Sequence, residues 1–276
     1  MIIGVAGLGL IGGSLARALS ESGKHEVIGF DINKSSVLAA KLVGAIKEEL
    51  TDDNIEKCDI IIVALYPNDT VEFVERNAKM IKKGAIVTDC GGVKRLICQK
   101  CEAVAEENGF YFIGAHPMAG TQFSGFTRSR GNLFKGATMI LTPKDNTDIK
   151  VLYKLRTAIE DAGFGEVNLT SPEEHDRVIA FTSQLPHIIS NAYIKSPAAI
   201  HQKGFSAGSY RDLTRVSKLN EAMWTELFFV NKDNLINEID FLVEKLSEYS
   251  AALKADDREK LVAILKEGTD SKKQAK

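Results

Sequence analysis

The sequence is short of the features that mark nucleic-acid-binding, secreted and membrane-spanning proteins. Its 35 lysines and arginines nearly balance its 37 aspartates and glutamates, and no basic block stands out, so nothing suggests a nucleic-acid partner. No apolar run approaches the length that crosses a membrane. The N-terminus lacks the basic segment that opens a signal peptide. We therefore expect a cytoplasmic protein that binds a small molecule. We expect it to bind neither nucleic acid nor a membrane.

Cysteine is also scarce, with four residues at positions 58, 90, 98 and 101. Cys98 and Cys101 form a C-x-x-C pair, which can be redox-active or provide half of a zinc site. No second pair and no nearby histidine completes a set of zinc ligands, so we expect no metal. The segment 94–108 has the pattern of an ordinary helix. The preferred interpretation is therefore two unpaired thiols one helical turn apart.

The sequence does contain a glycine-rich turn between a strand and a helix. The apolar run Ile2–Ala6 predicts a buried strand, Gly7, Gly9 and Gly12 follow in G-x-G-x-x-G spacing, and a helical pattern begins at Ser14. Such glycines permit a tight turn, a close approach of a pyrophosphate and contact between helix and strand. In this context they predict a dinucleotide site. We expect the cofactor to contact the turn residues Gly7, Leu8, Gly9, Leu10, Ile11 and Gly12.

An acidic residue indicates which dinucleotide binds. A second apolar run, 26–30, ends at Asp31, where a carboxylate can bind the ribose hydroxyls of an adenosine. A carboxylate there repels a 2′-phosphate, and no arginine follows it, so the sequence predicts NAD as the cofactor. Lys34 lies close enough in sequence to keep NADP as an alternative.

Strands and helices alternate through the first part of the sequence. Runs typical of buried strands lie at 58–65, 84–90, 111–116 and 138–143, with a possible edge strand at 165–169. Helical patterns separate them. This alternation predicts an α/β Rossmann-type doubly wound parallel sheet, which we assign to a dinucleotide-binding domain over residues 1–171.

The pattern changes at Ser171, which opens a capping box with proline at the first helical position. From there the sequence predicts an all-α C-terminal domain over 172–276 for substrate binding and dimerisation. Residues 173–196 read as one long helix or a pair of helices, with a kink expected at Pro186.

The remaining part of the helical domain contains a long amphipathic segment, 220–253. A last short helix is expected to start with Asp256 as its cap, and Gly268 to Lys276 reads as a frayed polar tail. Long apolar faces in a chain of this size often pack against a partner subunit. We therefore expect a homodimer formed through the helical domain.

Residues that follow strands are the candidates for ligand contact, because ligands of open parallel sheets bind beyond the carboxyl ends of the strands. Ala64, Leu65 and Asp89 occupy such positions and are expected near the cofactor. His116 closes another strand and is flanked by glycines. A histidine there can accept a proton from a hydroxyl while hydride leaves the same carbon. The alternative is a histidine that caps the strand or contacts the cofactor.

Several motifs together resemble the prephenate dehydrogenase family of tyrosine biosynthesis. The His-Pro-Met-Ala-Gly, Leu-Pro-His and Arg-Asp-x-Thr-Arg combination is the specific part of this resemblance, whereas the glycine motif is generic. The matches occur in order over nearly the whole chain, in both expected domains. They comprise Gly7–Ser14, Asp89–Lys94, His116–Thr121, Leu133–Ala137, Ile140–Pro143, Gln184–His187, Tyr210–Arg215 and Met223-Trp224.

The resemblance implies an oxidoreductase of aromatic amino acid biosynthesis that oxidatively decarboxylates prephenate with NAD. It implies that His116 is the catalytic base, that Arg215 holds a substrate carboxylate and that His187 is a second substrate-site histidine. A guanidinium is a natural partner for a carboxylate of this dianionic substrate. For His187 a structural role is the alternative. For Trp224 we prefer packing to substrate contact.

Two positions depart from the family pattern. Gly92 stands where the family usually has a serine that bonds the substrate hydroxyl or the catalytic histidine, so one orienting contact is missing; water, Ser124 or Thr121 are possible substitutes. Gln122 stands where some members carry a glutamate. A neutral amide there favours prephenate mildly over arogenate, whose ammonium group prefers a carboxylate. We include Thr121 and Gln122 among the expected substrate contacts.

Alternative functions follow from the same motifs. Within the family, the alternative is an arogenate dehydrogenase that yields tyrosine directly. Other glycine-turn dehydrogenases act on β-hydroxyacids with a catalytic lysine on a helix, and no lysine here lies in such a motif. A dinucleotide-sensing protein with a decayed site remains the non-enzymatic alternative because of Gly92. His25, His175 and His201 belong to no constellation, so we expect them at the surface.

Overall fold

The alternating segments of the first 169 residues build one sheet in the computed structural model, which describes residues 1–121 and 123–275. The strand order is β3-β2-β1-β4-β5-β6-β7-β8. Neighbouring strands pair parallel except β6 and β7, which pair antiparallel. The predicted fold class is therefore confirmed. The strands are β1 (Ile2–Ala6), β2 (Glu26–Phe30), β3 (Glu48–Glu49), β4 (Ile60–Val63), β5 (Ile86–Asp89), β6 (Tyr111–Pro117), β7 (Thr138–Thr142) and β8 (Glu166–Leu169).

Helices follow most of the strands and then make up the C-terminal part of the chain. The α-helices are α1 (Leu10–Glu21), α2 (Lys34–Leu42), α3 (Pro67–Asn77), α4 (Arg95–Asn108), α5 (Ile149–Asp161), α6 (Pro172–Ile179), α7 (Leu185–Tyr193), α8 (Gly208–Thr214), α9 (Glu221–Val230), α10 (Lys232–Lys254) and α11 (Arg258–Gln274). A π-helical turn, Ala180–Gln184, joins α6 to α7. Short 3-10 segments lie at Ile55–Lys57, Phe126–Arg128 and Pro197–His201.

The central strands are apolar throughout because both faces of the sheet are covered. On β4, Ile60 and Ile62 pack in a cluster with residues of α1 and α5. Ile61 and Val63 alternate with them and pack in a second cluster with residues of α3 and α4. Continuous apolar runs are typical of parallel strands buried on both sides. This packing fixes the carboxyl ends of β1, β4, β5 and β6, where the candidate site lies.

The cysteines are free thiols in the described part of the chain, and three of them are buried. Cys98 and Cys101 lie on the inner face of α4 with residues of the second cluster. Burial raises the pKa of the Cys98 thiol to about 12, and it raises the pKa of the Cys58 thiol to about 12 as well. Thiols of this kind are unreactive near neutrality. The interpretation as unpaired structural thiols therefore agrees with their environment.

The chain forms two compact units whose limits differ from a single cut at residue 171. The first unit contains Met1–Ile179 and Lys218–Val230, and the second contains Ala180–Ser217 and the chain from Asn231 onward. Helix α6 belongs to the sheet unit because it packs on α4. Segment Lys218–Val230 contains α9, whose Leu227 packs against the second apolar cluster. The functional division into domains 1–171 and 172–276 stays a prediction.

Three local predictions for the helical part differ from the structure. The segment 220–253 forms two helices, because the helical conformation is interrupted at Asn231 between α9 and α10. Asp257, and not Asp256, caps α11: its Oδ1 accepts a hydrogen bond from the Lys260 amide at 2.9 Å, whereas Asp256 has a positive φ of 53°. An N-cap needs an extended backbone, so Asp256 is excluded.

The expected frayed tail is the third difference, since α11 continues to Gln274. Lysines at 272 and 273 lie in its last turn, where positive charge stabilises the helix dipole. Lys273 also pairs with Asp270 one turn earlier, at 2.9 Å. These local interactions extend a helix whose composition alone suggested fraying.

Residues 1–121 and 123–275 contain neither a membrane-spanning helix nor a cluster of metal ligands. No helix in this part is long and apolar enough to cross a membrane. No group of three or more histidine, cysteine, aspartate or glutamate side chains there is arranged to hold a metal ion.

Candidate active site

The glycine turn has the shape that a bound pyrophosphate requires. Gly7 has a φ of +90°, which favours glycine, and a Cβ on Gly12 would lie 1.9 Å from the Gly7 carbonyl oxygen. Gly9 is the N-cap of α1, and a Cβ there would meet nothing within 4 Å. The first and third glycines therefore close the turn, and the second leaves open space at the N-terminus of α1. Backbone N–H groups at such a terminus attract anions, so the predicted cradle fits a dinucleotide.

Asp31 lies directly beside this turn. Its Oδ2 accepts a hydrogen bond from the Leu8 amide at 2.8 Å, and its Oδ1 accepts one from the Asn33 amide at 2.8 Å. The side chain of Leu8 is fully buried in the core, so only its backbone faces the turn. Lys34, the cation that kept NADP as an alternative, forms an ion pair with Glu49 on β3. A carboxylate at the turn and a lysine already paired both favour NAD.

The other predicted cofactor contacts lie at strand ends next to the turn. Leu10 and Ile11 form the first turn of α1, where both are partly exposed. A Cβ on Gly7 would lie 2.4 Å from the Ala64 carbonyl oxygen and 2.8 Å from a methyl carbon of Leu65. The chain after β4 is thus in contact with the turn. Contact of these residues with a cofactor stays a prediction.

Asp89 is fully engaged with protein groups. Its Oδ1 accepts a hydrogen bond from the Ala115 amide at 3.0 Å, and its Oδ2 accepts one from the Gly91 amide at 2.8 Å and pairs with Lys94. The Lys94 ammonium also donates to the Ala115 carbonyl at 2.7 Å, and both charged side chains are inaccessible to solvent. This pair ties the end of β5 to the strand that carries His116. The geometry favours a positioning role for Asp89, and its contact with the cofactor stays a prediction.

His116 is part of a chain of three buried or half-buried side chains. Its Nδ1 lies 3.0 Å from Nε2 of His175, and Nδ1 of His175 lies 2.8 Å from Oδ1 of Asp176. Both His175 and Asp176 come from α6, whereas His116 comes from β6. Asp176 in turn accepts hydrogen bonds from the backbone amides of Lys94 at 2.7 Å and Arg95 at 3.0 Å.

The environment keeps this chain of histidines neutral. Burial, the neighbouring His175 and the Lys94 cation hold the pKa of His116 well below 6.5. Burial also lowers the pKa of His175, although the hydrogen bond to Asp176 opposes that shift. For Asp176, burial raises the pKa, but the hydrogen bonds from His175 and the two backbone amides outweigh it and leave the pKa below 3.8. A general base must be unprotonated to accept a proton, so a neutral His116 is in the required state.

The prediction that His25 and His175 lie at the surface is wrong. The His175 side chain is 0% exposed, and that of His25 is 3% exposed and lies 2.9 Å from Asp161. His201 is exposed, as expected. Sequence reasoning missed His175 because its partner His116 is 59 residues away. The available signal was its spacing: His175 lies four residues before the buried Ile179, on the inner face of α6.

Gly92 leaves room beside His116. A Cβ built on Gly92 would lie 4.0 Å from Cε1 of His116 and 3.6 Å from a methyl carbon of Leu227, which are ordinary contacts. Thr121 is exposed, and its hydroxyl accepts a hydrogen bond from the Phe123 amide at 3.3 Å. Gln122, the other predicted substrate contact, lies outside the described residues. The position of the family serine is therefore sterically open.

The second unit carries the remaining predicted substrate residues. His187 lies in the first turn of α7, and its Nδ1 is 2.7 Å from the Ser183 carbonyl oxygen in the π-helical turn. Pro186 lies beside it at the start of α7, after this turn. Arg215 is exposed at the C-terminal end of α8, a helix that packs against α7. His187 and Arg215 therefore belong to two helices that are in contact. Trp224 lies in the first unit, packed on the ring of Phe228 at 5.2 Å.

Comparisons with known proteins match both parts of the chain. Residues 15–167 match the family model for prephenate dehydrogenase, nucleotide-binding domain, and residues 171–267 match that for prephenate dehydrogenase, dimerization domain. The chain is 30% identical to the prephenate dehydrogenase of Bacillus subtilis over an alignment that covers 96% of this chain and 74% of that protein.

Solved structures are similar along the whole chain. A prephenate dehydrogenase from Aquifex aeolicus, in complex with hydroxyphenyl propionate and NAD+, has a TM-score of 0.86 at 30% identity and covers 100% of this chain and 98% of that one. The arogenate dehydrogenase of Synechocystis has a TM-score of 0.84 at 27% identity and covers 100% of both chains.

Proposed function

Since the chain belongs to the prephenate dehydrogenase family, we propose that it catalyses the NAD-dependent oxidative decarboxylation of prephenate to 4-hydroxyphenylpyruvate. The observation that carries this proposal is the neutral His116 at the end of β6, bonded through Nδ1 to His175. The predictions of the family, of an NAD-dependent oxidoreductase and of NAD as the cofactor are borne out by these matches.

The glycine turn and β6 have different roles in the proposed reaction: the turn binds the cofactor, and His116 on β6 transfers the proton. The N-terminus of α1 and the carboxylate of Asp31 would hold NAD, whose nicotinamide would accept the hydride. His116 accepts the proton of the ring hydroxyl as hydride leaves the carbon that bears it. Carbon dioxide then leaves the ring, and its bonding electrons complete the aromatic ring. His116 returns the proton to the phenol oxygen, so the reaction releases no net proton.

The substrate is a dianion, and the second unit offers positive and hydrogen-bonding groups for it. Arg215 is exposed, and its planar guanidinium matches a carboxylate with two parallel hydrogen bonds. His187 uses Nδ1 to bond the Ser183 carbonyl, which leaves Nε2 to contact the substrate. Thr121 and Gln122 remain expected contacts on the first unit.

The exposed apolar face of α10 supports a homodimer. Ile236, Val243, Leu246 and Leu253 are each more than half exposed, and spacings of seven, three and seven residues place them on one side of the helix. The matched dimerization-domain model spans this helix. We therefore propose that α10 packs against a second copy of the chain.

A second candidate function is the oxidation of arogenate, which the similarity to an arogenate dehydrogenase favours. The test is NADH formation by the purified protein with prephenate and, separately, with arogenate, using NAD and then NADP. We expect turnover with prephenate and NAD, one NADH and one carbon dioxide per substrate. Turnover with arogenate alone would overturn the substrate assignment. Dinucleotide binding without turnover on either substrate would favour a sensing protein with a decayed site.

A further inference from the structure

We propose that His175 and Asp176 are positioning residues that hold His116 in the one tautomer able to accept the substrate proton. This inference rests on the proposed role of His116 as base. His175 and Asp176 lie on α6, and His175 contacts Nδ1 of His116 on β6. The directions of two hydrogen bonds, taken in order from Asp176 to His116, carry the argument.

The first step is the direction of the bond to Asp176. The Asp176 carboxylate already accepts hydrogen bonds from the amides of Lys94 and Arg95 at the start of α4, at 2.7 and 3.0 Å. Its side chain is inaccessible to solvent. A carboxylate held by two N–H donors at a helix N-terminus is ionised and can only accept. Nδ1 of His175, 2.8 Å from Oδ1, must therefore carry the proton.

The second step fixes the tautomer of His116. A neutral imidazole has one donor and one acceptor nitrogen, so His175 with a proton on Nδ1 presents a lone pair on Nε2. That lone pair faces Nδ1 of His116 at 3.0 Å. Two lone pairs at this distance repel, so Nδ1 of His116 carries a proton and donates it. Nε2 of His116 is then left with the lone pair that a general base needs.

Burial of the cluster keeps both rings neutral. Lys94 brings a buried cation from the turn before α4, and it pairs with Asp89 at the end of β5. Asp176 is a second buried carboxylate, on α6, and it bonds His175. Burial disfavours a proton on either imidazole, and the nearby Lys94 cation adds to this effect, although Asp176 opposes it at His175. The cluster therefore sets both the charge and the orientation of His116.

Asp176 also caps α4. A variant of Asp176 would therefore destabilise α4 as well as remove the proposed control of the His116 tautomer. Variants of His175 separate the two. His175→Phe fills the site with no acceptor for Nδ1 of His116, whereas His175→Gln keeps a carbonyl oxygen that can accept there. Both variants lose the imidazole that bonds Asp176, so damage to the α4 cap should be similar in the two.

The decisive experiment compares kcat and KM for prephenate, the Kd for NAD+ and the Tm of these two variants. We expect His175→Phe to lower kcat by roughly 100-fold or more, because loss of a tautomer-fixing partner has large effects in other enzymes. His175→Gln should retain at least about a tenth of wild-type kcat, since it keeps the acceptor for Nδ1 of His116. KM and Kd should change little. Equal kcat in the two variants, or wild-type kcat in His175→Phe, would overturn the proposal.

A spectroscopic measurement reads the tautomers directly in the wild-type protein and uses variants only to assign the signals. Long-range 1H–15N spectra of histidine-labelled protein report which ring nitrogen is protonated, and His116→Gln and His175→Gln assign the signals. We expect the Nδ1–H tautomer for both residues. An Nε2–H tautomer of His116 would overturn the proposal. Full turnover in His116→Ala would instead refute the base assignment, which makes the two failures distinguishable.

Discussion

At the scale of single residues, the buried histidines predict a loss of stability on the acid side. Burial first, and Lys94 as well, lowers the pKa of both His116 and His175 below 6.5. The unfolded chain therefore binds more protons than the folded one below that pH. The stabilisation is fully present above pH 6.5 and is lost as pH falls towards the folded-state pKa values.

The measurement is the free energy of unfolding, from denaturant titrations, as a function of pH. Each of the two histidines should lower the free energy of unfolding by at most about 1.4 kcal/mol per pH unit as the pH falls below 6.5. His175→Gln should flatten the dependence, because it removes one of the two histidines with a lowered pKa. A wild-type stability that stays constant between about pH 7 and about pH 5.5 would contradict this account.

Gly92 supports a second residue-scale prediction. Because a Cβ at this position would make only ordinary contacts with His116 and Leu227, Gly92→Ser should fold normally. Its hydroxyl would add an orienting hydrogen bond near the base. We expect kcat to rise by roughly 10-fold or less, since one hydrogen bond contributes about 0.5–1.5 kcal/mol. Gly92→Ala is the matched control, which fills the space without a hydroxyl and should leave kcat unchanged. A lower kcat in the serine variant would refute the prediction.

Asp31 is the residue on which cofactor choice depends. Its carboxylate orders the glycine turn through the Leu8 amide and is placed to bind a ribose. Asp31→Ala should weaken NAD+ binding by roughly 10- to 100-fold, the value of a hydrogen bond to a charged group. Affinity for NADP+ should fall less, because the variant removes a repulsive charge. Calorimetric titration measures both, with Asp52→Ala as a control at an exposed aspartate. An unchanged Kd for NAD+ would exclude the ribose contact.

At the scale of secondary-structure elements, α10 carries a prediction about assembly. Its exposed apolar side should be buried in a dimer, so a charge at Leu246 should destabilise the dimer. We expect the wild-type chain to be dimeric by light scattering and Leu246→Glu to shift towards monomer. Asn237→Glu places the same charge on the opposite side of α10 and should remain dimeric. A monomeric wild-type chain would contradict the proposed homodimer.

Elements with a strong local pattern could be predicted, and elements set by distant contacts could not. The apolar runs of β1, β4 and β5 lie close to their predicted positions because burial on both faces requires continuous apolar residues. The antiparallel direction of β7 depends on its pairing with β6, which no local pattern encodes. The π-helical turn before Pro186 likewise has no simple signature, so the sequence suggested only a kink.

The candidate site shows the same division. Gly7, Gly9, Gly12, Asp31 and His116 could be identified because each has a fixed place relative to a strand end. His175 and Asp176 could not, because their role depends on α6 packing against α4 and β6, elements distant in sequence. The ion pair of Asp89 with Lys94 and its hydrogen bonds from backbone amides could not be predicted for the same reason.

At the scale of the whole molecule, the family, the fold class and NAD as the cofactor could be predicted from motifs spread along the chain and are confirmed. The preference for prephenate over arogenate, the homodimer, the domain roles and the cytoplasmic location stay predictions. Substrate preference depends on side chains whose contacts with a ligand no motif specifies. Assembly depends on surfaces that only the folded helices create.

The measurement that tests the central claim most directly is steady-state NADH formation from prephenate by the wild-type protein and by His116→Ala, side by side, with the Kd for NAD+ measured on both. We predict turnover by the wild type and a loss in kcat of at least about 100-fold in the variant, the usual range for removal of a general base, with NAD+ affinity unchanged. Equal turnover by the two proteins would show that His116 is not the base and would contradict the account.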